Sequence, residues 1–324
     1  MPSYNQTIGR CKQSIDGVMV EWYDNDAMAP RSPENERSLA STAEVAVEEF
    51  IASGHSAPLA EFMPIELRIM VSAGCRAKGI ATGTATFPPG AILPYHVHEC
   101  GEAITILDGQ ADVSVMGRRY QLSRLDCIYV PEGTAHSVAN FDTASLLIAH
   151  SAFSNSSPGR ILVPDLFHDE NRGAGLPNAG EPERLRRFGQ AEMYPLAEGT
   201  RFYDLFASRF GSVGMCGGYG EFDPGTALPC HIHKFDESIT IITGQSVCRV
   251  QGKQHTLSNC DTAFVPEGKP HCFLNQSGSP MAMIWVYAGN EPERTLVSAE
   301  YCLGLQAWPG AHRLEGTDRG QLDI

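Results

Sequence analysis

Short apolar and polar runs alternate along most of the chain. In "QADVSVMGRRYQLS" (110–123) and "QSVCRVQGKQHTLS" (245–258), residues such as Val, Tyr and Thr alternate with polar ones and are interrupted by glycine. This period of two is typical of antiparallel strands. "FPPG" (87–90) and "FDPG" (222–225) predict turns that lead into a further strand, because Pro fixes φ and Gly accepts a positive φ.

One segment has a helical pattern instead. In "STAEVAVEEFIASG" (41–54), Ser41 and Glu44 have the spacing of a capping box, and Gly54 ends the pattern. The apolar residues that fall on one helical face are Ala43, Val47, Phe50 and Ile51. We therefore predict one helix before the β-rich part of the chain.

The β-rich part contains an internal repeat. "LPYHVHECGEAITILDG" (93–109) recurs 135 residues later as "LPCHIHKFDESITIITG" (228–244), and "DCIYVPEGTAHSVAN" (126–140) recurs as "DTAFVPEGKPHCFLN" (261–275). The shorter patterns E-x-x-P and P-x-R-x-L-V lie before and after each copy. Two homologous domains are therefore predicted. The predicted boundaries are 1–60 for an N-terminal extension with the helix, 61–165 for the first domain, 166–190 for a linker, 191–300 for the second domain and 301–324 for a tail.

Each copy is expected to form a small antiparallel barrel or jelly roll of six to eight strands, because closure removes exposed sheet edges. The predicted fold class is thus all-β, with two tandem barrels and a short helical extension.

Composition and charge narrow the class of partner. The chain has 324 residues, of which 42% are hydrophobic and 19% charged, which is typical of a globular protein. Its net charge of −14 argues against nucleic acid and against an anionic membrane as partners. We find neither an export signal nor an apolar run of about 18 residues. A cytoplasmic protein acting on a small molecule is expected.

The ten cysteines are widely spaced and include no C-x-x-C pair. In a large chain without an export signal, this spacing favours free thiols in a reducing compartment over a disulfide framework. We expect most of them to be small core residues.

The repeated histidines have the spacing of metal ligands. On a strand, residues i and i+2 project from the same face, so His96 and His98 project together, as do His231 and His233. A lone H-x-H on a strand is usually polar surface. Here it recurs at the same spacing in both copies, while neighbours such as Glu99 and Lys234 differ. The predicted ligand sets are His96, His98, Glu102 and His136 in the first copy and His231, His233, Glu237 and His271 in the second.

Three neutral imidazoles and one carboxylate suit a divalent transition metal, either Fe(II), Mn(II), Zn(II), Ni(II) or Cu(II). In an octahedral ion they leave two positions open for substrate or oxygen. Up to two ions per chain are expected.

The two ligand patterns resemble the motifs of the cupin superfamily. The pattern G-x5-H-x-H-x3-E-x6-G runs from Gly90 to Gly109 and again from Gly225 to Gly244. The pattern P-x-G-x2-H-x3-N runs from Pro131 to Asn140 and again from Pro266 to Asn275. The chain therefore resembles a bicupin with both metal motifs intact. The glycine that usually leads the second motif is Leu125 in one copy and Cys260 in the other, a departure expected to affect a turn.

The resemblance implies a metal site more strongly than a reaction. Three hypotheses stay open. The first and favoured one is an Fe(II)-type dioxygenase acting on a small organic acid or on an aromatic or dicarbonyl substrate. The second is a redox-neutral Mn, Zn or Ni enzyme, such as a decarboxylase, lyase, isomerase or hydrolase. The third is a metal-dependent binding protein without turnover.

Catalytic residues other than the ligands are not identified by the sequence. Candidates for proton transfer flank the motifs, although a solvated strand end is the simpler interpretation of each: Tyr95, Glu99, Cys230, Lys234 and Asp236. Arg119 and Arg249 are candidate anion anchors if they face inward, although a solvated surface position is the simpler interpretation. Asn140 and Asn275 are candidates either for turn caps or for groups that orient the metal ligands. The residues beside the ligands differ between the copies, which predicts different tasks for the two sites. Association into a homo-oligomer is also compatible with this fold.

Overall fold

The computed structural model describes residues 10–15, 18–23, 47–54, 59–62, 64–164 and 176–309. The chain divides into two units, 1–46 and 47–324. In the first unit, strands β1 (Arg10–Ile15) and β2 (Val18–Tyr23) form an antiparallel hairpin.

The second unit is built almost entirely of strands. In chain order its first half contains β3 (Phe50–Ala52), β4 (Leu59–Phe62), β5 (Ile65–Val71), β6 (Ala81–Phe87), β7 (Ile92–Val97), β8 (Glu102–Asp108), β9 (Ala111–Val115), β10 (Arg118–Leu122), β11 (Cys127–Val130), β12 (His136–Ala139), β13 (Leu147–Phe153) and β14 (Ile161–Leu162). Its second half contains β15 (Arg184–Arg186), β16 (Met193–Tyr194), β17 (Thr200–Phe206), β18 (Cys216–Phe222), β19 (His231–Ile232), β20 (Glu237–Thr243), β21 (Gln245–Val250), β22 (Lys253–Ser258), β23 (Thr262–Val265), β24 (His271–Leu274), β25 (Met281–Tyr287) and β26 (Thr295–Leu296).

These strands form two jelly rolls, each made of a five-stranded and a seven-stranded sheet. The sheets of the first jelly roll have the orders β10-β9-β12-β7-β14 and β15-β11-β8-β13-β6-β5-β4. Those of the second have the orders β22-β21-β24-β19-β26 and β16-β17-β18-β25-β20-β23-β3. The prediction of an all-β chain with two jelly rolls is confirmed.

Helical structure in the described residues is limited to a few short elements. They are one α-helix, α1 (Ala299–Leu303), and 3₁₀ turns at Ala73–Cys75, Phe188–Gln190 and Ser208–Phe210. None of these helices has the length and apolar character needed to cross a membrane.

The helix predicted at 41–54 is wrong for the part that the structure describes. Residues 41–46 lie outside the described residues, but Phe50–Ala52 form β3, which pairs antiparallel with β23. The ladder to β23 and the burial of Ala52 outweigh the local helical pattern. Glu49 is fixed beside this strand by Lys253 and Lys269, at 2.8 Å from each. Burial raises the pKa of Glu49, but these two lysines lower it more, to about 2.

The two jelly rolls exchange edge strands. Each one includes a strand that comes just before the other jelly roll in the chain. Strand β3 precedes the first jelly roll but pairs with β23 of the second. Strand β15 lies in the predicted linker and pairs with β11 of the first. The segment before β15 is anchored by Glu183, which is fully buried and accepts two hydrogen bonds of 2.7 Å from Arg118 and one of 2.6 Å from Tyr120.

Positive φ angles close the turns of both motifs. Gly109 and Gly244, which end the first motif, have φ of +79° and +74°. A Cβ there would lie 2.5 Å from a carbonyl oxygen of the next connection, so only glycine fits. Leu125 and Cys260 also adopt left-handed φ angles, +65° and +66°. The departure from glycine therefore acts on a turn, as expected, at a cost of roughly 1–2 kcal/mol each.

Apolar side chains fill each jelly roll and the surface between them. Large interior residues include Phe87 and Leu122 in the first and Phe222 and Phe273 in the second. A third cluster joins the outer faces of the two seven-stranded sheets, with members from both: Ile80, Ala103, Leu107, Leu125, Cys127, Tyr129, Ala152, Leu205, Phe206, Met215, Tyr219, Ala282, Ile284 and Val286. Because it is apolar and shared, the two jelly rolls pack as one body.

Polar residues also meet across this interface. Thr82 and Ser238 hydroxyls lie 2.7 Å apart, and Nε2 of His150 lies 3.4 Å from Oγ1 of Thr240. His150 is 1% exposed, and burial lowers its pKa to about 4. The folded protein therefore holds this imidazole neutral.

This burial predicts a loss of stability in acid. The unfolded chain takes up a proton at His150 near pH 6.5, whereas the folded chain resists it down to about pH 4. The contribution is complete above pH 6.5 and falls as the pH decreases, by about 2 kcal/mol at pH 5. We expect His150→Gln to lose about that much less stability than the wild type between pH 7 and pH 5 in urea unfolding. Parallel pH profiles for the two proteins would contradict this expectation.

Candidate metal centres

The eight predicted ligands come together as two buried clusters. In the first jelly roll, His96 and His136 lie directly opposite each other on β7 and β12 of the five-stranded sheet. Glu102 begins β8 of the seven-stranded sheet, so the two sheets approach each other at the cluster. The second cluster repeats this arrangement, with His231 opposite His271 and Glu237 at the start of β20. One ligand atom from each residue lies within 4.8 Å of the other three in its cluster.

A main-chain carbonyl fixes every imidazole. Nδ1 of each histidine lies 2.5–2.9 Å from a carbonyl oxygen, that of Pro94, Gly159 or Thr134 in the first cluster and that of Pro229, Glu293 or Lys269 in the second. Because a carbonyl can only accept, Nδ1 must carry the proton. Nε2 is left with a lone pair in the direction of the cluster, as metal-binding histidines require.

The spacing of these lone pairs fits a cation. Nε2 of His271 lies 2.6 Å from Oε2 of Glu237, and Nε2 of His136 lies 2.9 Å from Oε2 of Glu102. Two unprotonated acceptors this close repel each other unless they share a proton or bind the same metal ion. Nε2 of His271 and Oε2 of Glu237 also have no hydrogen-bond partner in the described residues, although both are buried. A divalent metal ion at each cluster would satisfy these atoms.

Burial keeps His96, His231 and His233 in the neutral form that binds metal. It lowers the pKa of His96 and of His231 well below the usual range, and a neighbouring histidine lowers each further. Burial likewise lowers the pKa of His233 to about 4. For Glu102, burial raises the pKa, but His136 and His98 lower it more. The site therefore offers neutral nitrogens and an ionised carboxylate.

The spaces beside the two clusters differ. In the first jelly roll a cavity of about 20 Å³ is bordered directly by His96 and Glu102. In the second a cavity of about 310 Å³ is lined by aromatic and polar residues: Tyr194, Leu196, Phe202, Asp204, Trp285, Tyr287, Pro292 and Arg294. Tyr287 connects this cavity to the cluster, because its ring lies 4.4 Å from that of His233.

A few replacements at matched strand positions change the side chains beside the two clusters. Phe153 faces Glu102 across the ladder, and Tyr287 faces Glu237 in the same way. Ser151 of the first cavity corresponds to Trp285 of the second, since each is opposite the equivalent glycine of the neighbouring strand. The second space is therefore lined by larger, aromatic side chains.

Each cavity also contains an arginine whose role the sequence did not reveal. Arg160 lines the first cavity and Arg294 the second, both from the segment that follows the last long strand. Burial lowers the pKa of each arginine, while the glutamate of the adjacent cluster raises it. Both arginines are the R of the repeated P-x-R-x-L-V pattern. The pattern alone, however, does not indicate in which direction an arginine after a strand projects.

The candidates for proton transfer have structural or surface positions. The hydroxyl of Tyr95 accepts a hydrogen bond from the backbone of Gly117 at 3.2 Å. Asp236 accepts backbone N–H groups of Lys78 and Glu267. Glu99 and Lys234 are exposed.

The remaining polar candidates also have structural partners. Arg119 pairs with Asp112 and Arg249 with Gln254, whereas Asn140 and Asn275 cap turns through main-chain carbonyls. None of these side chains lines either cavity beside the clusters in the described residues.

The expectation of free thiols is wrong for one pair of cysteines. Cys230 and Cys302 form a disulfide that spans 72 residues of sequence. The seven other cysteines whose side chains are described are free, and five of them are buried. Sequence spacing could not reveal the pair, because only the fold brings the tail to the second jelly roll.

Comparison with known proteins agrees with this fold. Residues 83–150 and 218–287 match the family model of the cupin domain. Two solved structures similar to the whole arrangement are oxalate decarboxylases. A deletion mutant from Bacillus subtilis has a TM-score of 0.65 at 16% identity and covers 84% of this chain and 88% of that one. A formate complex from Lactobacillus farciminis has a TM-score of 0.64 at 14% identity and covers 78% and 89%.

One curated relative is similar in sequence. Quercetin 2,3-dioxygenase from Bacillus subtilis is 31% identical over 116 residues, which is 36% of this chain. The match spans only 32% of the length of that relative.

Removal of one ligand should empty one centre. We expect His96→Ala and His231→Ala each to bind one metal ion fewer per chain than the wild type, because the two clusters share no ligand. Plasma mass spectrometry of protein purified anaerobically without a histidine tag measures this content. Unchanged metal content in either variant would show that its cluster is not a metal site.

Proposed function

The chain is a two-domain cupin with a complete ligand set in each jelly roll, and we propose that it is a metal-dependent dioxygenase that oxidises a small aromatic substrate at the second centre. The aromatic cavity of about 310 Å³, which Tyr287 connects to the second cluster, carries this proposal. Its volume lies at the lower end of the range for small-molecule sites.

Iron is the metal that this reaction favours. His231, His233, Glu237 and His271 would hold a divalent iron ion at this centre, and such an ion would supply electron transfer to dioxygen. The chain itself binds and orients the substrate.

The cavity walls suit a planar ring with an acidic oxygen atom. Phe202, Tyr194 and Trp285 offer aromatic faces and edges to the ring. Arg294 borders the same space and attracts an anionic oxygen. Asp204 also lines this space, but its charge is balanced by Arg209. A divalent ion, the carboxylate of Glu237 and the guanidinium of Arg294 therefore leave a net charge of about +2, which an anionic substrate compensates.

Tyr287 positions the carboxylate ligand. Burial and the nearby Glu237 raise the pKa of its phenol, so the hydroxyl stays protonated and can donate to Glu237. Phe153 in the first jelly roll has no such group.

The similarity to quercetin 2,3-dioxygenase also supports an oxygenase, over the 116 residues that match.

The first centre favours a second candidate function. Its cavity of about 20 Å³ contacts His96 and Glu102 and is bordered by Arg160. A small organic acid that displaces water there would meet both a metal ion and a guanidinium. Manganese, zinc or nickel would polarise such an acid without redox change. The similar solved structures are oxalate decarboxylases, which supports this alternative.

The two centres should differ in their effect on oxygen consumption. With the iron-loaded full chain and a panel of catechols, hydroxybenzoates and β-dicarbonyls, we expect His231→Ala to abolish oxygen uptake. His96→Ala should retain oxygen uptake, because the cavity of the first centre is too small for a ring and the second centre is unchanged. Equal loss in both variants would contradict the division of tasks. Carbon dioxide release without oxygen uptake would instead support the redox-neutral reaction.

Replacement of Arg294 should weaken the binding of an anionic substrate. We expect Arg294→Gln to raise KM by about tenfold or more, since a hydrogen bond to a charged group contributes about 1.5–3 kcal/mol. Arg160→Gln is the matched control and should leave this KM unchanged. An equal rise in KM for an anionic substrate and its neutral ester would argue against a charge interaction.

A further inference from the structure

The disulfide lies directly behind the second metal cluster. Cys230 precedes the ligand His231, and Cys302 lies on α1 near the C-terminal end of the described chain. Their side chains are 5% and 2% exposed. One covalent bond therefore connects the ligand strand to a terminal helix.

Strand alternation places the cysteines on the opposite face from the ligands. His231 and His271 point into the cluster, so the adjacent Cys230 and Cys272 project to the other side of the sheet. Because His231 pairs with His271 in an antiparallel ladder, Cys230 lies opposite Cys272. The three residues Cys230, Cys272 and Cys302 form one small buried cluster, separate from the interior of the jelly roll.

Helix α1 covers this cysteine cluster through few other contacts. The N–H of Gly252 donates to the carbonyl of Cys302 at 2.9 Å. Gly304 approaches Gly252 so closely that a Cβ on either would lie 2.9 Å from the other. The helix has only five residues, too few to be stable without such attachments.

The ligand strand is short, although it pairs with β24 on one side and with β26 on the other. Strand β19 contains two residues, whereas the equivalent β7 contains six. The first jelly roll has Tyr95 and Ser137 in place of Cys230 and Cys272. The covalent attachment therefore exists only behind the second centre.

We infer that the Cys230–Cys302 disulfide is a thiol-exchange site that controls metal retention at the second centre. A dithiol reductant transfers two electrons and two protons to the disulfide. The S–S bond breaks, two cysteine thiols form, and the dithiol becomes a disulfide. Local opening of the five-residue helix α1 gives the reductant access.

Reduction then releases α1 from the ligand strand, which keeps its pairs with β24 and β26 but loses its covalent attachment. Ligand geometry at His231 loosens, and the metal ion dissociates faster. Supports behind a metal ligand typically contribute 10–100-fold in affinity, so we expect the second ion to be lost at least about tenfold faster. The first ion is unaffected and serves as an internal reference.

The test measures metal retention in the full chain. Manganese-loaded protein, with the disulfide verified by peptide mass mapping, is dialysed against a chelator with and without tris(2-carboxyethyl)phosphine. The wild type should retain its second ion when oxidised and lose it when reduced. Cys302→Ser should lose that ion at the faster rate even without reductant. Cys75→Ser is the matched control and should behave like the wild type, because a serine hydroxyl can replace the thiol that bonds to Ser72.

Two ligand variants assign the loss to a centre. In His96→Ala, which keeps only the second cluster, reduction should remove the remaining metal. In His231→Ala, which keeps only the first, reduction should change nothing. Equal retention in the oxidised and reduced wild type would overturn the inference, as would equal loss from both centres or the absence of the disulfide. No outcome depends on which reaction the protein catalyses.

Discussion

The hydrogen bond from each imidazole Nδ1 to a main-chain carbonyl is the interaction on which both centres depend. It fixes the tautomer and the ring direction at once, so that three lone pairs and one carboxylate converge before any ion binds. The carbonyls belong to turns and strand ends whose positions the jelly roll determines. Rearrangement of the ligands would therefore require rearrangement of the sheet, which explains why the same geometry occurs in both copies.

The two copies show how one scaffold can support different surroundings for the same ligands. The positions that differ beside the clusters include Leu67, Ser151 and Phe153 in the first jelly roll, which correspond to Phe202, Trp285 and Tyr287 in the second. None of them is a ligand, so each can change without loss of the ion. The arginine beside the glutamate is retained in both, which keeps a positive field in spaces of very different size.

Strand periodicity and exact repetition both constrain the eight predicted ligand residues, which is why they lie together in two clusters. A period of two places His96 and His98 on one face, and the fold turns that face inward. The helix at 41–54 was predicted from local pattern alone, and at Phe50 a distant strand decided the outcome. The Cys230 disulfide also depends on contacts between residues far apart in sequence. The direction of the Arg160 side chain could not be predicted, because this residue follows the end of a strand, where the period of two no longer applies.

The exchange of β3 and β15 bears on how such a chain arose. Each strand lies about 135 residues from the other and occupies the same place at the edge of the opposite jelly roll. Consider a homodimer whose subunits exchange their edge strands. End-to-end fusion of two copies of its gene would produce this reciprocal arrangement. The fused halves are mutually dependent: a fragment containing only the second would leave the edge of β23 unpaired and prone to associate with other chains. Once fused, neither half could readily be lost, while each remained free to acquire its own cavity.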